Sequence, residues 1–391
     1  MSSSQSPLKP HLSLALGLMK TGYQDEICYD RGRDENKTCF FAGPTFLLRK
    51  HNPDRSRPDL LHYWCVSPDF DFADVAAGLP DLEAIIDALH HSSHDILVTE
   101  ADDARVDVWV EGGIENRAAN QLLLKKITTL VILLEESLLL KLGAPCRWPR
   151  RVTPVGENGK AARYPGPQGD VVSSEYDSHV PRMAAMEPAA KEPAAKDSAA
   201  KNNRDPELID RKIAMIWSTR SLRELQRVLN PRGFAGSGFC LIVPKEPDNA
   251  HTLHNLERWG PKYMPKPSPI WFRFHHMQMT FEEALLRNWV EIIARIIELA
   301  LADPGEYKKC LEAIFRIQQQ DGVAWEQLMK HVLNLEHRIP YWQDQVARYK
   351  RGEVITGLSK NGLLPKRMGP FYSRPPRVWK DSGDLTDVDL R

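Results

Sequence analysis

The chain has 391 residues, with 52 basic and 52 acidic side chains, 42% hydrophobic residues, 29 prolines and 23 glycines. That length excludes a small disulfide-stapled scaffold, and the composition excludes both a disordered chain and a coiled coil. A formal net charge of zero removes any global electrostatic drive toward nucleic acid or an anionic membrane, so neither partner is expected.

Leu12 to Met19 alternates apolar and small residues with a period near two, which predicts a strand half facing a core. After a charged stretch from Tyr23 to Lys37, the apolar run Thr38 to Leu48 is broken by Gly43 and Pro44 and reads as strand on either side of a turn. His62 to Val66 is a further short strand, stopped by Ser67 and Pro68. Leu82, Ile85, Ile86 and Leu89 lie at helical spacing within Asp81 to His90, and Arg105 to Val110 then alternates strictly before Gly112 and Gly113. From about Ala118 to Leu142 a long helix is predicted, apolar over much of its circumference and closed by Gly143 and Pro145, as expected of a helix buried between layers.

Residues 150–203 break this order. A threefold pentapeptide repeat beginning at Glu187, Glu192 and Asp197 has too little apolar surface to offset its ordering entropy, so a disordered insertion is expected there. Order resumes at Pro206, with one helical stripe through Ile209, Ile213, Ile216 and Trp217 and a second helix opened by Ser221 and Glu224 as a capping box. Phe239 to Val243 and Pro269 to Phe274 read as buried strands. Thr280 opens a capped helix whose Trp289, Ile292, Ile293, Ile296, Ile297 and Leu299 form a core face. Helices are predicted over 304–319, 322–338 and 341–350, and the Gly/Pro-rich tail after Arg351 should wrap or dangle. The fold class expected is α+β, a small antiparallel or mixed sheet packed by long helices.

Six cysteines (Cys28, Cys39, Cys65, Cys146, Cys240, Cys310) form no Cys-x-x-Cys unit and are expected as buried or incidental thiols. The first ten residues lack the apolar core of a signal peptide, and no window approaches the roughly 18 apolar residues of a membrane span, so the expected location is the cytoplasm. No phosphate-binding Gly-rich loop, dinucleotide fingerprint, zinc-helix motif or nucleophile elbow occurs. His90 and His94 would share a helix face if the helix ran that far, although a solvated helix end is the plainer reading. Arg273 and His275 alternate on one side of a predicted strand, where Arg can clamp a carboxylate or phosphate and His can move a proton.

Several pieces, in order, resemble the fungal-type amidoligase family, a branch of the carboxylate–amine ligases related in fold to glutamine synthetase and glutamate–cysteine ligase. They are Leu12 to Met19, Trp64 to Pro68, Asp107 to Glu111 with the helix to Leu142, Ile216 to Ser218, Trp271 to His276, and Asn288 with Trp289. The resemblance implies a glutamine-synthetase-like sheet and one body of two halves, 1–149 and 204–350, interrupted by the insertion and followed by a tail over 351–391. It also implies ATP-dependent joining of a carboxylate to an amine through an acyl phosphate, with magnesium held by carboxylates and some imidazoles.

Carried over by position, the two glutamates of the family's first strand fall on Ala15 and Gly17, and the glutamate before Val-Ser-Pro falls on Trp64. Two histidines fall on Asp107 and Trp109, and the glutamate before Phe-Arg falls on Trp271. Only Asp107 retains a side chain able to take a metal or nucleotide; Arg273 and His275 survive as the catalytic candidates, with Arg273 also placed to hold the cofactor. A face stripped of carboxylates would leave magnesium–phosphate bridges uncompensated. The expected protein is therefore a degenerate amidoligase-like pseudoenzyme that needs no cofactor and is retained to bind a small molecule or a protein. The alternative is an active ligase of fungal secondary metabolism using ATP and magnesium, with its metal site rebuilt from Asp69, Asp71, Asp107 and Glu111, although turn capping is the ordinary role for Asp69 and Asp71.

Overall fold

The computed structural model describes residues 10–21, 38–40, 47–50, 60–66, 70–79, 82–91, 95–97, 103–110, 117–143, 178–181, 206–229, 238–243, 270–320, 324–353, 358–359 and 363–367. Within them an antiparallel sheet is packed by helices, which makes the fold α+β and resolves the antiparallel-or-mixed alternative. The strands are β1 (Pro10–Thr21), β2 (Thr38–Phe40), β3 (Leu47–Lys50), β4 (Leu60–Val66), β5 (Asp95–Leu97), β6 (Asp103–Val110), β7 (Phe239–Ile242) and β8 (Ile270–Gln278). Their order across the sheet is β2-β3-β4-β1-β6-β8-β7, with β5 also pairing β1.

Strand alternation decides which residues enter the core. Leu12 and Leu14 on β1, Val106 and Val108 on β6, Phe272 and Phe274 on β8, and Phe239 and Leu241 on β7 are all buried. Their register agrees, since Leu12 stands opposite Val108, Val106 opposite Phe274, and Phe239 opposite Phe274. They therefore share one face, as a period of two requires.

Helices complete that core. The first two, α1 (Phe72–Ala76) and α2 (Leu82–His90), precede the long α3 (Arg117–Leu134), which runs through a π turn (Glu135–Leu139) into α4 (Leu140–Gly143). Next come α5 (Pro206–Ser218) and α6 (Leu222–Leu229), then α7 (Glu283–Leu301), α8 (Pro304–Gln319), α9 (Ala324–His331) and α10 (Ile339–Lys350). Leu124, Ile127, Leu130 and Val131 of α3 and Trp289, Ile292, Ile293 and Ile296 of α7 join the strand residues in one contiguous apolar cluster. Burying each such side chain contributes about 1.5–3 kcal/mol before the opposing chain entropy is counted.

Four expectations change in detail. The helix expected to open at a capping Thr280 begins at Glu283 with Glu282 as an uncapped N-cap, and the Thr280 hydroxyl accepts from Glu282 N (3.1 Å). The single helix expected over 322–338 is instead α9 followed by a 3-10 turn (Glu336–Arg338), because Asn334 adopts a left-handed backbone (φ 56) and Pro340 opens α10. Ser221 does cap the Glu224 N–H (3.1 Å), but the Glu224 carboxylate reaches back to Arg220 N (2.7 Å), one residue before the cap. Within the stretch 150–203, residues 178–181 are packed and not loose: His179 stacks on Trp217 at 5.4 Å and Val180 is buried in the core.

Part of the tail wraps the body. Leu364 N–H donates to Ile96 O (2.9 Å), and the Arg367 guanidinium pairs with Asp87 (2.7 Å). Among the described residues no helix is long and apolar enough to cross a membrane.

Candidate functional site

The face of the sheet away from the apolar cluster carries charge. On β6 the residues alternating with buried Ala104, Val106 and Val108 are Arg105 and Asp107, and the register sets Asp107 opposite Arg273 of β8 on one side and Ser13 of β1 on the other. Arg273 in turn stands opposite Cys240 of β7. Three strands thus bring one carboxylate, two guanidiniums and a thiol onto one face.

Asp107 is the hub of this group. Its Oδ1 lies 3.0 Å from Arg105 Nε and 3.3 Å from Arg273 Nε, and Arg105 Nε donates to Oδ2 at 3.1 Å. The arginines differ in exposure: the side chain of Arg105 is 8% exposed and that of Arg273 is 27%, with Asp107 at 4% between them. Arg105 therefore acts as a buried counter-ion, while Arg273 stands at ion-pair distance through Nε and is partly exposed to solvent. His275, two residues along β8, sets its Nε2 3.7 Å from Cys240 Sγ, and its N–H donates to Gly238 O at 2.7 Å.

The expected site residues therefore come together. Asp107 and Arg273 touch, and His275 follows on the same strand with its ring against Cys240, whose own partner across the ladder is Arg273. By backbone register the positions of Ala15, Gly17, Trp64, Asp107, Trp109 and Trp271 also share this face, since Gly17 pairs with Trp64, Ala15 with Arg105, and Trp109 with Trp271. The side chains of Trp64, Trp109 and Trp271 lie outside the described residues, as do Asp69, Glu111 and His94.

Other candidates are occupied elsewhere. Asp71 is the N-cap of α1, accepting from Ala73 N and Asp74 N, so it is committed to turn capping and not to a metal. His90 closes α2 and donates through Nδ1 to Pro365 O at 2.7 Å, which ties down the tail. Asp107 itself, the expected metal ligand, stands between two cations. Among the described residues no group of three His, Cys, Asp or Glu side chains is placed to hold a metal.

Arg105 and Cys240 were not singled out from the sequence. Arg105 carried a usable signal, a charge alternating with valines two residues before Asp107; Cys240 carried none, because its neighbour His275 is distant in the chain. A second polar contact lies on the helix side of β8, where His276 Nε2 donates to Glu135 Oε1 at 2.9 Å, both side chains fully buried. Its signal was a pair of glutamates inside the apolar run Ile132 to Leu140 of the long helix. No protein-family model, no curated protein and no solved structure matches this chain.

Proposed function

We propose that this chain is a degenerate amidoligase-like binding protein that takes a small carboxylate- or phosphate-bearing molecule on the Arg273 and His275 face, without magnesium–ATP ligation. The observation that carries this reading is the engagement of Asp107 by two guanidiniums within 3.3 Å. Asp107 is the one acidic side chain left at the positions where the resemblance sets metal ligands. A divalent ion binding there would meet two fixed positive charges, and like unit charges about 4 Å apart repel by about 4 kcal/mol at an effective dielectric near 20.

The same arrangement suits an anion. A guanidinium whose Nε lies 3.3 Å from a buried carboxylate is attracted to this face, and its intrinsically planar fork has the geometry that matches carboxylate or phosphate oxygens. An imidazole two residues away on the same strand adds a second donor.

Equilibrium titration with inorganic phosphate and with L-glutamate tests the reading. Saturable binding in EDTA, lost in Arg273→Gln while the melting temperature holds, is expected. Binding that ignores Arg273→Gln would remove this face from the account. Amine-dependent ADP release from ATP would establish the active ligase instead.

A further inference from the structure

Two backbone irregularities in separate elements meet in one buried hydrogen bond. Between the pairs Val106–Phe274 and Ala104–Met277, β6 contributes only Arg105 while β8 contributes His275 and His276. This bulge shifts the alternation of β8 by one residue: His275 keeps to the Arg273 side, and His276 and Met277 are both buried on the helix side. In the long helix, Glu135 opens the π turn that also inserts a residue, and its Oε1 accepts from His276 Nε2.

An apolar pair would fill this part of the core without desolvating two polar groups, so packing alone does not account for the contact. Its surroundings connect it to the charged face. A Cβ on Gly238 would stand 2.6 Å from His276 Nε2 and 2.8 Å from Glu135 Oε1, so the backbone entering β7 rests directly on the pair. The carbonyl of that same glycine accepts the His275 N–H, and two residues later Cys240 meets the His275 ring. From behind, a Cβ on Gly143 would stand 2.7 Å from His276 O, so the end of α4 presses on the bulge. The bulge is held from both sides.

We propose that Glu135 and His276 are positioning residues for the anion-binding face, setting through Gly238 where His275 stands beside Arg273. The inference rests on the reading that this face binds an anion; neither residue touches the ligand. His276 Nδ1 has no hydrogen-bond partner among the described residues, so the orientation of the ring depends on Glu135 and on the bulge that carries it.

The test is a phosphate titration of the full chain followed by nitrogen NMR of the histidine rings, repeated with L-glutamate. Resonances of His275 and of His276, on opposite faces of the sheet, are expected to move with the same apparent Kd. Glu135→Leu is expected to weaken binding about tenfold, the scale of outer-layer support for a site, while Glu135→Gln keeps the acceptor and stays within about twofold. Movement of His275 with His276 still overturns the positioning role and leaves the binding reading standing. Failure of both ligands to move His275 overturns the binding reading, and the positioning role with it. The titration of the unmodified chain needs no variant, so it decides the matter even where Glu135→Leu does not fold.

Discussion

On one face of the sheet Leu12, Val106, Val108, Phe272 and Phe274 join the helices in an apolar cluster; one residue along the same strands, Arg105, Asp107 and Arg273 form ion pairs. The first set is interchangeable in kind, because any well-fitting apolar side chain supplies the same burial. The second is not, because each charge depends on a particular partner at a particular atom. Apolar burial is thus concentrated on one side of the sheet and partner-specific charge pairing on the other.

Substitutions can break that division, and the largest effect is expected on the apolar side. Trp289 is fully buried between His276 and Trp342, with ring centroids 6.4 and 6.5 Å away. Trp289→Ala is expected to cost about 3–5 kcal/mol, read as a lower denaturant midpoint. A smaller loss would mean that α7 and β8 collapse onto the space.

The next effects sharpen the contrast between the two arginines. Asp107→Ala removes a buried counter-ion of Arg105 and is expected to cost about 3 kcal/mol. Arg273→Gln leaves the Arg105–Asp107 contact in place and removes a more exposed partner, so its stability cost should stay at or below about 1 kcal/mol while anion binding is lost. Denaturant titration beside a binding isotherm separates the two. Equal stability costs would show that Arg273 is a second structural counter-ion.

A last effect is a pH dependence that arises on the helical side. Burial pushes the Cys310 thiol up to about 12 from an ordinary 9.0, and the Tyr341 hydroxyl, raised mainly by burial and also by Glu282, up to about 12 from 10.0. Burial also raises the Tyr307 hydroxyl well above its ordinary 10.0. In each case the unfolded chain releases its proton first as pH rises, so stability is whole below about pH 9 and declines between there and about 12. Denaturant midpoints at pH 8 and pH 10.5 should show the fall. A flat profile would mean that these groups are as exposed in the folded chain as in the unfolded one.

Much of this contrast was legible in the sequence, because strand alternation is written in adjacent residues. Val106 and Val108 against Arg105 and Asp107 give β6 its two faces directly, and Phe272 and Phe274 against Arg273 and His275 do the same for β8. The predicted strands β1, β6 and β8 and the helix ending at Leu142 correspond to observed elements, and the candidates Asp107 and Arg273 meet in the fold. What was not legible depends on register. Nothing local says that Cys240 faces His275, or that Glu135 lies against His276 across 141 positions. The bulge and the π turn each insert one residue and therefore break the periodicity on which such reading relies.

The central claim is that the charged face binds an anion without the metal chemistry of a ligase. Its most direct test is a calorimetric titration of the full chain with ATP, once in magnesium and once in EDTA, in the presence and absence of an amine. The expected result is binding that is no tighter with magnesium than without it, no ADP release, and loss of the signal in Arg273→Gln. Tight binding that requires magnesium, or ADP release that follows the amine, would contradict it.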